Sequence, residues 1–238
     1  MNKSSGGITM VAAALGAMAL VPACGMEGDG AGTATPLTEP ATPFAAPQGN
    51  EGDSTKACPT RADWATSYTL AAGSWGGWAA CYSLCPAGSF AYAATLRSES
   101  SQGPDDDTAL NAIQLDCYNR TTGAYAGFVT SGQSNWGTWR ARGVTNPYDV
   151  SNPFVGGQMK VEAPVGVDDD TAANNVNLVA KNGNWTTLAA GTSFGSWQPV
   201  RSCAAGQAIC GVSTRIEGSQ GIFDDSALNG IAFACCNF

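Results

Sequence analysis

The sequence contains no histidine. This absence excludes every catalytic arrangement that depends on an imidazole, including Ser-His-Asp and Cys-His sites and a histidine general base. It also argues against a zinc site, because the cysteines are not arranged as paired C-x-x-C motifs either. Any catalysis would therefore have to use carboxylates, tyrosine, lysine or a bound metal, and we expect no resident metal or other cofactor.

Basic residues are scarce as well. Lys and Arg total 11 against 19 Asp and Glu, which gives a formal net charge of −8. Binding to a phosphate backbone needs a basic surface, so we do not expect a nucleic-acid partner. A sustained helical period is also missing after the N-terminal segment, and this favours a β fold.

The first 57 residues differ in composition from the rest. Residues 1–23 combine a short basic start, an apolar run over 8–21 and a small-residue boundary, which is typical of a bacterial-type export signal. The stretch "LVPAC" resembles a lipobox, so Cys24 is either a lipidated N-terminus or part of a freely secreted chain. Residues 24–57 are rich in Gly, Ala, Thr and Pro and predict a flexible tether. We therefore expect a surface lipoprotein, with Cys24 as its one membrane contact, or a secreted protein.

Eight cysteines remain once Cys24 is set aside. An even number in an exported chain indicates disulfide bonds. The residues concerned are Cys58, Cys81, Cys85, Cys117, Cys203, Cys210, Cys235 and Cys236.

A motif recurs three times in the remaining 180 or so residues, as "DDDTALN" at 105–111, "DDDTAAN" at 168–174 and "FDDSALN" at 223–229. An aromatic-Gly-x-Trp step precedes each motif, at 75–78, 136–139 and 194–197. The chain thus contains three sequence copies, at about 64–120, 121–181 and 182–238, within one domain over 58–238.

In each copy, apolar and polar residues alternate with period two before and after the acidic turn. Tyr92, Ala94 and Leu96 share one face before the first turn, as Cys210 and Val212 do before the third. This pattern predicts half-buried strands, about four per copy. Three four-stranded sheets whose inner faces share one core would form a threefold β-prism, and we assign the chain to the all-β class.

The acidic turns are the main candidate site. Their carboxylates could serve glycoside chemistry, bind calcium, accept sugar hydroxyls or simply stabilise the turns. The catalytic candidates are Glu99, Asp107, Glu162, Asp170, Glu217 and Asp225. The candidate ligand-binding acids are Asp106, Asp107, Asp169, Asp170, Asp224 and Asp225.

Three further sets recur with the turns. The asparagines share the phase of buried strand residues, and we expect a structural role for Asn111, Asn174 and Asn229. A basic residue stands two positions before each repeated glutamate, where a surface ion pair is expected for Arg97, Lys160 and Arg215. The aromatic steps could fill a threefold core, which we favour, or stack on sugar rings, for which Trp75 and Trp136 are the candidates.

The segments "WGGW", "CPAG", "SESSQGPDDDTALNAIQLDC", "DDDTAANNVNL" and "CGVSTRIEGSQGIFDDSALNGIAFACC" closely resemble the vitelline membrane outer layer protein I family, over residues 64–238. The resemblance implies a β-prism of three Greek-key sheets about a pseudo-threefold axis. It also implies an association with extracellular coats and with weak action on N-acetylglucosamine oligosaccharides.

One departure from the family concerns the middle copy, where Ala180 occupies a position that is cysteine in the other two. The simplest pairing joins Cys85 to Cys117 and Cys58 to Cys81. The other two bonds then lie among Cys203, Cys210, Cys235 and Cys236.

Three functions remain open. The first is a surface-displayed or secreted prism that binds glycan, of the N-acetylglucosamine polymer type. The second is a weak carboxylate-based glycosidase or transglycosylase, and the third is a coat component without a small ligand. The near-identity of the copies argues against the enzyme, because a single active site would let the other two copies drift.

Overall fold

A computed structural model describes residues 57–100, 109–134, 136–145, 149–163, 172–189, 192–218 and 227–238. The signal, Cys24 and all of the tether before residue 57 lie outside these ranges. The structure over the described ranges is built from fifteen β-strands. In this part of the chain, no helix has the length and apolar character needed to span a membrane.

The strands follow one another in three groups along the chain. The first group is β1 (Trp64–Ala72), β2 (Gly77–Trp78), β3 (Ser83–Leu84), β4 (Ser89–Ser98) and β5 (Leu110–Asn119). The second is β6 (Tyr125–Thr130), β7 (Thr138–Trp139), β8 (Gly143–Val144), β9 (Phe154–Val161) and β10 (Ala173–Ala180). The third is β11 (Trp185–Thr187), β12 (Ser196–Trp197), β13 (Arg201–Ser202), β14 (Gln207–Ile216) and β15 (Leu228–Asn237).

These strands form three antiparallel sheets of the same design. Sheet 1 has the order β6-β5-β4-β7, sheet 2 has β11-β10-β9-β12, and sheet 3 has β1-β15-β14-β2. The fourth position of each sheet is interrupted, because a second short strand (β8, β13 or β3) pairs with the same inner strand. The predicted all-β prism of three four-stranded sheets is confirmed.

The sheets do not coincide with the sequence copies. The aromatic step of each copy pairs with the inner strand of another copy, so β7 pairs with β4, β12 with β9, and β2 with β14. Sheet 3 therefore joins the two ends of the domain, since β1 also pairs along β15. The prism closes only when the first and last copies meet.

The inner faces of the three sheets share one apolar core. Sheet 1 contributes Leu96, Ile113 and Leu115, and sheet 3 contributes side chains such as Phe233. Each fully buried side chain of this size stabilises the fold by about 1.5–3 kcal/mol. Sheet 2 completes the core with Phe154, Met159, Val176 and Leu178.

The outer faces of sheets 1 and 3 are covered as well. A second buried cluster contains Phe90, Tyr92 and Tyr118 from sheet 1 with Cys210 and Ala234 from sheet 3. The half-buried expectation is therefore wrong for β4, β5, β14 and β15, which are buried on both faces along most of their length. Register shifts interrupt β4 at Ala91/Ala93 and β14 at Ile209/Gly211. Such a bulge adds one residue and reverses the facing of side chains beyond it, which places Tyr92 and Cys210 on the outer face.

Four disulfide bonds join the eight cysteines. The Cys85–Cys117 and Cys58–Cys81 bonds are confirmed. The last four cysteines pair as Cys203–Cys235 and Cys210–Cys236. Cys85–Cys117 and Cys203–Cys235 are equivalent bonds, each with a sequence separation of 32 and a Cα–Cα distance of 5.7 Å.

Candidate functional site

Each acidic turn is closed at its base by an alanine in the left-handed region. Ala109, Ala172 and Ala227 have φ values of 43°, 45° and 45°. The carbonyl of each alanine accepts a hydrogen bond from the amide of the repeated glutamate, as from Glu99 to Ala109 at 2.8 Å. A left-handed alanine costs about 1–2 kcal/mol, so three equivalent ones indicate a turn geometry that the rest of the fold enforces.

The turns themselves, over 101–108, 164–171 and 219–226, lie outside the described residues. This holds for every aspartate candidate: Asp106, Asp107, Asp169, Asp170, Asp224 and Asp225. Their proposed roles in ligand or calcium binding stay predictions.

The repeated asparagines tie these turn bases to the aromatic steps. Asn111, Asn174 and Asn229 are fully buried. The Asn111 side-chain oxygen accepts a hydrogen bond from the Ser134 hydroxyl, and its amide donates to the Ala109 carbonyl at 3.4 Å.

The other two asparagines make corresponding contacts. The side-chain oxygen of Asn174 accepts from the Thr192 hydroxyl. That of Asn229 accepts from the backbone amide of Trp75 at 3.3 Å. Asn111 and Asn174 thus bond both the alanine at the turn base and a hydroxyl two residues before the aromatic step, and Asn229 bonds the first residue of its step.

The basic residue before each glutamate also holds the aromatic step. The Arg215 guanidinium donates to the carbonyls of Gly73, Ser74 and Gly76 at 2.7, 2.8 and 3.0 Å. Arg97 bonds the carbonyls of Ser134 and Gly137 at 3.1 Å each, and Lys160 bonds the Ser193 carbonyl. The sequence-based interpretation as ion pairs missed these backbone contacts.

The glycine of the step permits a close backbone approach. Gly137 has a φ of 73°, and a Cβ built there would lie 2.4 Å from the carbonyl carbon of Ser98. Gly76 and Gly195 show the same crowding against Ile216 and Val161. The step is therefore fixed tightly against the last residues of the inner strand.

Core packing is wrong for most of the aromatic-step side chains, although Trp78 packs against the second buried cluster. Four of the six side chains are exposed, with Trp75, Phe194, Trp139 and Trp197 at 44%, 44%, 42% and 40%. Trp78 and Trp136 are half-buried. The step pairs at the edge of each sheet, so the aliphatic residues of the long strands fill the interior instead.

An open groove of about 540 Å³ runs along the corner between sheets 3 and 2. Its polar lining includes Glu162, Arg201 and Gln198, together with Thr69 from β1 and Ser74. Gly195 and Ser196 also line it and lie between Phe194 and Trp197 in the chain, while Ser74 precedes Trp75. The lining of this groove is therefore polar and aliphatic, and the exposed aromatic residues are its neighbours in the chain.

Glu162 is the glutamate candidate that this groove contains. Glu99 and Glu217 stand at the corresponding ends of sheets 1 and 3, one residue beyond β4 and β14.

A family model described as Vitelline membrane outer layer protein I (VOMI) matches residues 66–238. The chain belongs to this family. It is 38% identical over 172 residues to the vitelline membrane outer layer protein 1 homolog of Homo sapiens, a match that covers 69% of this chain and 79% of that protein. The Mus musculus homolog is 34% identical over 175 residues, with the same two shares.

Solved structures of similar outline include two plant lectins. A mannose-binding jacalin-related lectin from Ananas comosus has a TM-score of 0.45 at 13% identity, covering 73% of this chain and 98% of that one. The Calystegia sepium agglutinin has a TM-score of 0.46 at 12% identity, covering 74% and 98%.

Apart from Glu162 and the aromatic-step residues Gly195 and Ser196, the groove residues of this VOMI family member had no signal in the sequence. Arg201 and Gln198 stand outside the repeated motifs, and β1 reaches the groove from the opposite end of the domain. These residues come together only because sheet 3 closes beside sheet 2, and no local sequence pattern indicates this contact.

Proposed function

We propose that this VOMI family member is an exported protein that binds a glycan chain in the groove between sheets 3 and 2. The observation that carries the proposal is the combination of Glu162, Arg201 and Gln198 in one open groove of about 540 Å³. Ligand sites of this size typically pair apolar surface with a few well-placed polar groups. An open groove also suits a chain that extends beyond both ends of the site.

The chemistry of the lining matches a sugar. A carboxylate accepts hydrogen bonds from hydroxyls, a guanidinium donates to hydroxyl or acetamido oxygens, and an amide does both. The apolar lining residues Leu70, Val161 and Pro199 complement the apolar face of a pyranose ring. We take N-acetylglucosamine polymers as the ligand class, as the family resemblance implies.

Four disulfide bonds support an exported location, because such bonds persist in oxidising compartments. The human and mouse relatives are named as homologs of a vitelline membrane outer layer protein, which supports a coat role for a glycan-binding prism. Whether a lipid at Cys24 retains the protein at the cell surface is a separate prediction.

Binding of N-acetylglucosamine oligosaccharides to the purified protein, measured by calorimetry, tests the proposal. We expect Glu162→Gln and Arg201→Ala to weaken binding about tenfold or more, since each removes a charged hydrogen-bonding group. Glu99→Gln is the matched control, because Glu99 holds the equivalent position in sheet 1. Equal losses in Glu99→Gln and Glu162→Gln would refute a site confined to this groove.

A weak glycosidase is the second candidate, favoured by the presence of Glu162 in the groove. Such an enzyme needs two carboxyl groups, about 5 Å apart for retention or 6.5–9.5 Å for inversion. Release of reducing ends by the wild type, abolished in Glu162→Gln at oligosaccharide concentrations that saturate the variant, would identify it. Binding without any release of reducing ends would exclude it.

A further inference from the structure

A second surface with ligand-binding character lies on the outer face of sheet 1. Phe128, Asp116, Ala93 and Val144 are direct neighbours across the four strand positions of this sheet. The outer two are exposed, at 58% for Phe128 and 44% for Val144, whereas Asp116 and Ala93 are buried. We call this row, with Arg142, Tyr118 and Tyr125, the sheet-1 trough.

The floor of the trough holds a preorganised charge pair. The Asp116 carboxylate is 3% exposed and lies 3.0 Å from the Arg142 guanidinium, which is itself 45% exposed. Asp116 also accepts a hydrogen bond from the Gln114 amide at 2.9 Å. Arg142 in turn donates to the Tyr118 hydroxyl at 2.7 Å. The guanidinium is therefore held in place while part of it faces solvent.

The fold itself does not require this charge. Asp116 lies five residues after the repeated Asn111, and the corresponding residues of sheets 2 and 3 are Val179 and Ala234. A buried ion pair is weak evidence for stability, because its desolvation offsets much of its attraction. Because the equivalent positions in the other two sheets hold apolar residues, the Asp116 carboxylate points to a role other than folding.

Aromatic side chains stand beside the pair. Tyr125 is 54% exposed and packs edge-on against Tyr118, with ring centroids 5.3 Å apart. Burial and, after it, the Asp116 carboxylate raise the pKa of Tyr125, so the charge acts directly on this ring. Two exposed aromatic rings next to a fixed hydrogen-bond donor form a patch of the kind used for recognition.

We propose that the sheet-1 trough is a second glycan-binding site that takes a neutral pyranose ring. The ring packs its apolar face on Tyr125 or Phe128, and its hydroxyls accept hydrogen bonds from Arg142. A neutral sugar fits better than an anionic one, because Asp116 already balances the guanidinium charge. The ligand class rests on the proposed function.

The two sites lie on different sides of the prism. The groove occupies the corner between sheets 3 and 2, and the trough lies on the outer face of sheet 1. One molecule can therefore hold two glycan chains at once. Such a bivalent protein would cross-link a polysaccharide layer without self-association.

Calorimetry with the N-acetylglucosamine hexamer tests the trough on the full exported protein. We expect two binding sites in the wild type. In a Tyr125→Ala/Phe128→Ala variant the affinity of the trough should fall at least tenfold, so that calorimetry detects the groove site alone. Trp185→Ala is the matched control, because Trp185 pairs with Val179 as Phe128 pairs with Asp116, and is 48% exposed. It should keep both sites. Circular dichroism melts establish that each variant is folded.

The two proposals fail in different ways. If the wild type binds at one site, and that site is kept in the trough variant but lost in Arg201→Ala, the trough proposal is wrong and the groove proposal stands. If that one site is instead kept in Arg201→Ala but lost in the trough variant, the trough proposal is supported and the groove proposal is wrong. Loss of a site in Trp185→Ala would overturn the assignment to the Asp116–Arg142 pair, and no binding of neutral oligosaccharides by the wild type would overturn both.

Discussion

At the scale of single residues, the asparagine of each repeated motif has a structural role, because its side-chain amide is buried and hydrogen-bonded. The asparagines are fully buried and bond the backbone or hydroxyl groups of the aromatic step. Because a buried amide must be satisfied, its bonding pattern constrains both segments that it touches. This contact set accounts for the recurrence of asparagine without any ligand.

Alanine substitution of these asparagines should lower stability in all three copies. We expect Asn111→Ala, Asn174→Ala and Asn229→Ala each to cost about 1–3 kcal/mol, since each leaves buried partners unsatisfied. Thermal melts measure the effect. Asp106→Asn and Asp107→Asn serve as comparison variants and should melt close to the wild type. Early melting of the aspartate variants with unchanged asparagine variants would reverse the assignment.

Alkaline pH should destabilise the protein through its buried tyrosines. Burial, with a smaller effect of the Asp149 carboxylate, raises the pKa of Tyr92 to about 12, above the usual value of about 10. Burial also raises the pKa of Tyr68. The folded state thus binds the tyrosine proton more tightly than the unfolded state. The resulting stabilisation is complete below about pH 10 and is lost as the pH rises towards 12.

Urea melts between pH 9 and pH 12 check this expectation. Tyr92→Phe removes one titrating group, so its stability should decline less steeply over this interval than that of the wild type. The variant also removes the bond from the Tyr92 hydroxyl to the Val150 carbonyl, which lowers its stability at every pH. Parallel curves would therefore contradict the predicted linkage.

At the scale of elements, the aromatic-Gly-x-Trp step is a clamp on the end of the inner strand. The glycine allows the close approach, and a basic side chain bonds the carbonyls of the turn. The aromatic side chains are left at the surface as a consequence. Their exposure results from how the step is held, and four of them are available for contacts.

A comparison of two glycines tests this clamp. Gly137 and Gly183 both have positive φ, at 73° and 86°, but only Gly137 would bring a Cβ into contact with backbone, whereas Gly183 has open space around it. We expect Gly183→Ala to cost about 1–2 kcal/mol from its conformation alone. Gly137→Ala should cost clearly more, because the inner strand must also move. Equal losses in thermal melts would show that the close approach is unimportant.

At the scale of the whole molecule, stability depends on joining the two ends of the domain. Strand β1 pairs along β15, and β2 pairs with β14, so sheet 3 forms from segments far apart in the chain. Cys85–Cys117 and Cys203–Cys235 each tie the end of a short edge strand, β3 or β13, to a long strand of another sheet, β5 or β15. The equivalent bond is absent where Ala180 replaces cysteine in β10. Sheet 2 is therefore joined to sheet 3 through Cys203, which follows β13 and donates its backbone amide to Val155 of β9.

Removal of Cys85–Cys117 should destabilise the fold without changing the other bonds. A loop of this length corresponds to about 3–4 kcal/mol in the chain-entropy account, less any strain that is released. Denaturant melts of a Cys85→Ser/Cys117→Ser variant measure the loss. Peptide mapping without reduction should still recover Cys58–Cys81, and a mixed link between Cys81 and Cys235 would contradict the predicted pairing.

The sequence by itself determined the three copies, the period-two strands, the family and the bonds Cys85–Cys117 and Cys58–Cys81. The copies and strands follow from local alternation and from residue types at a repeated spacing, whereas the family and the two bonds follow from the resemblance of the motifs and cysteines to that family. The burial phase of Asn111 was readable from the same alternation, since it lies two residues before Ile113 on one strand.

Only the tertiary structure decided which faces are buried and where sites form. Bulges in β4 and β14 placed Tyr92 and Cys210 on the outer face, because one inserted residue reverses all later side chains. The groove needed β1 to reach sheet 2 from the other end of the domain. Asp116 and Arg142 lie in separate strands or loops and meet only when β8 pairs with β4. Contacts of this kind depend on long-range register, which local periodicity does not encode.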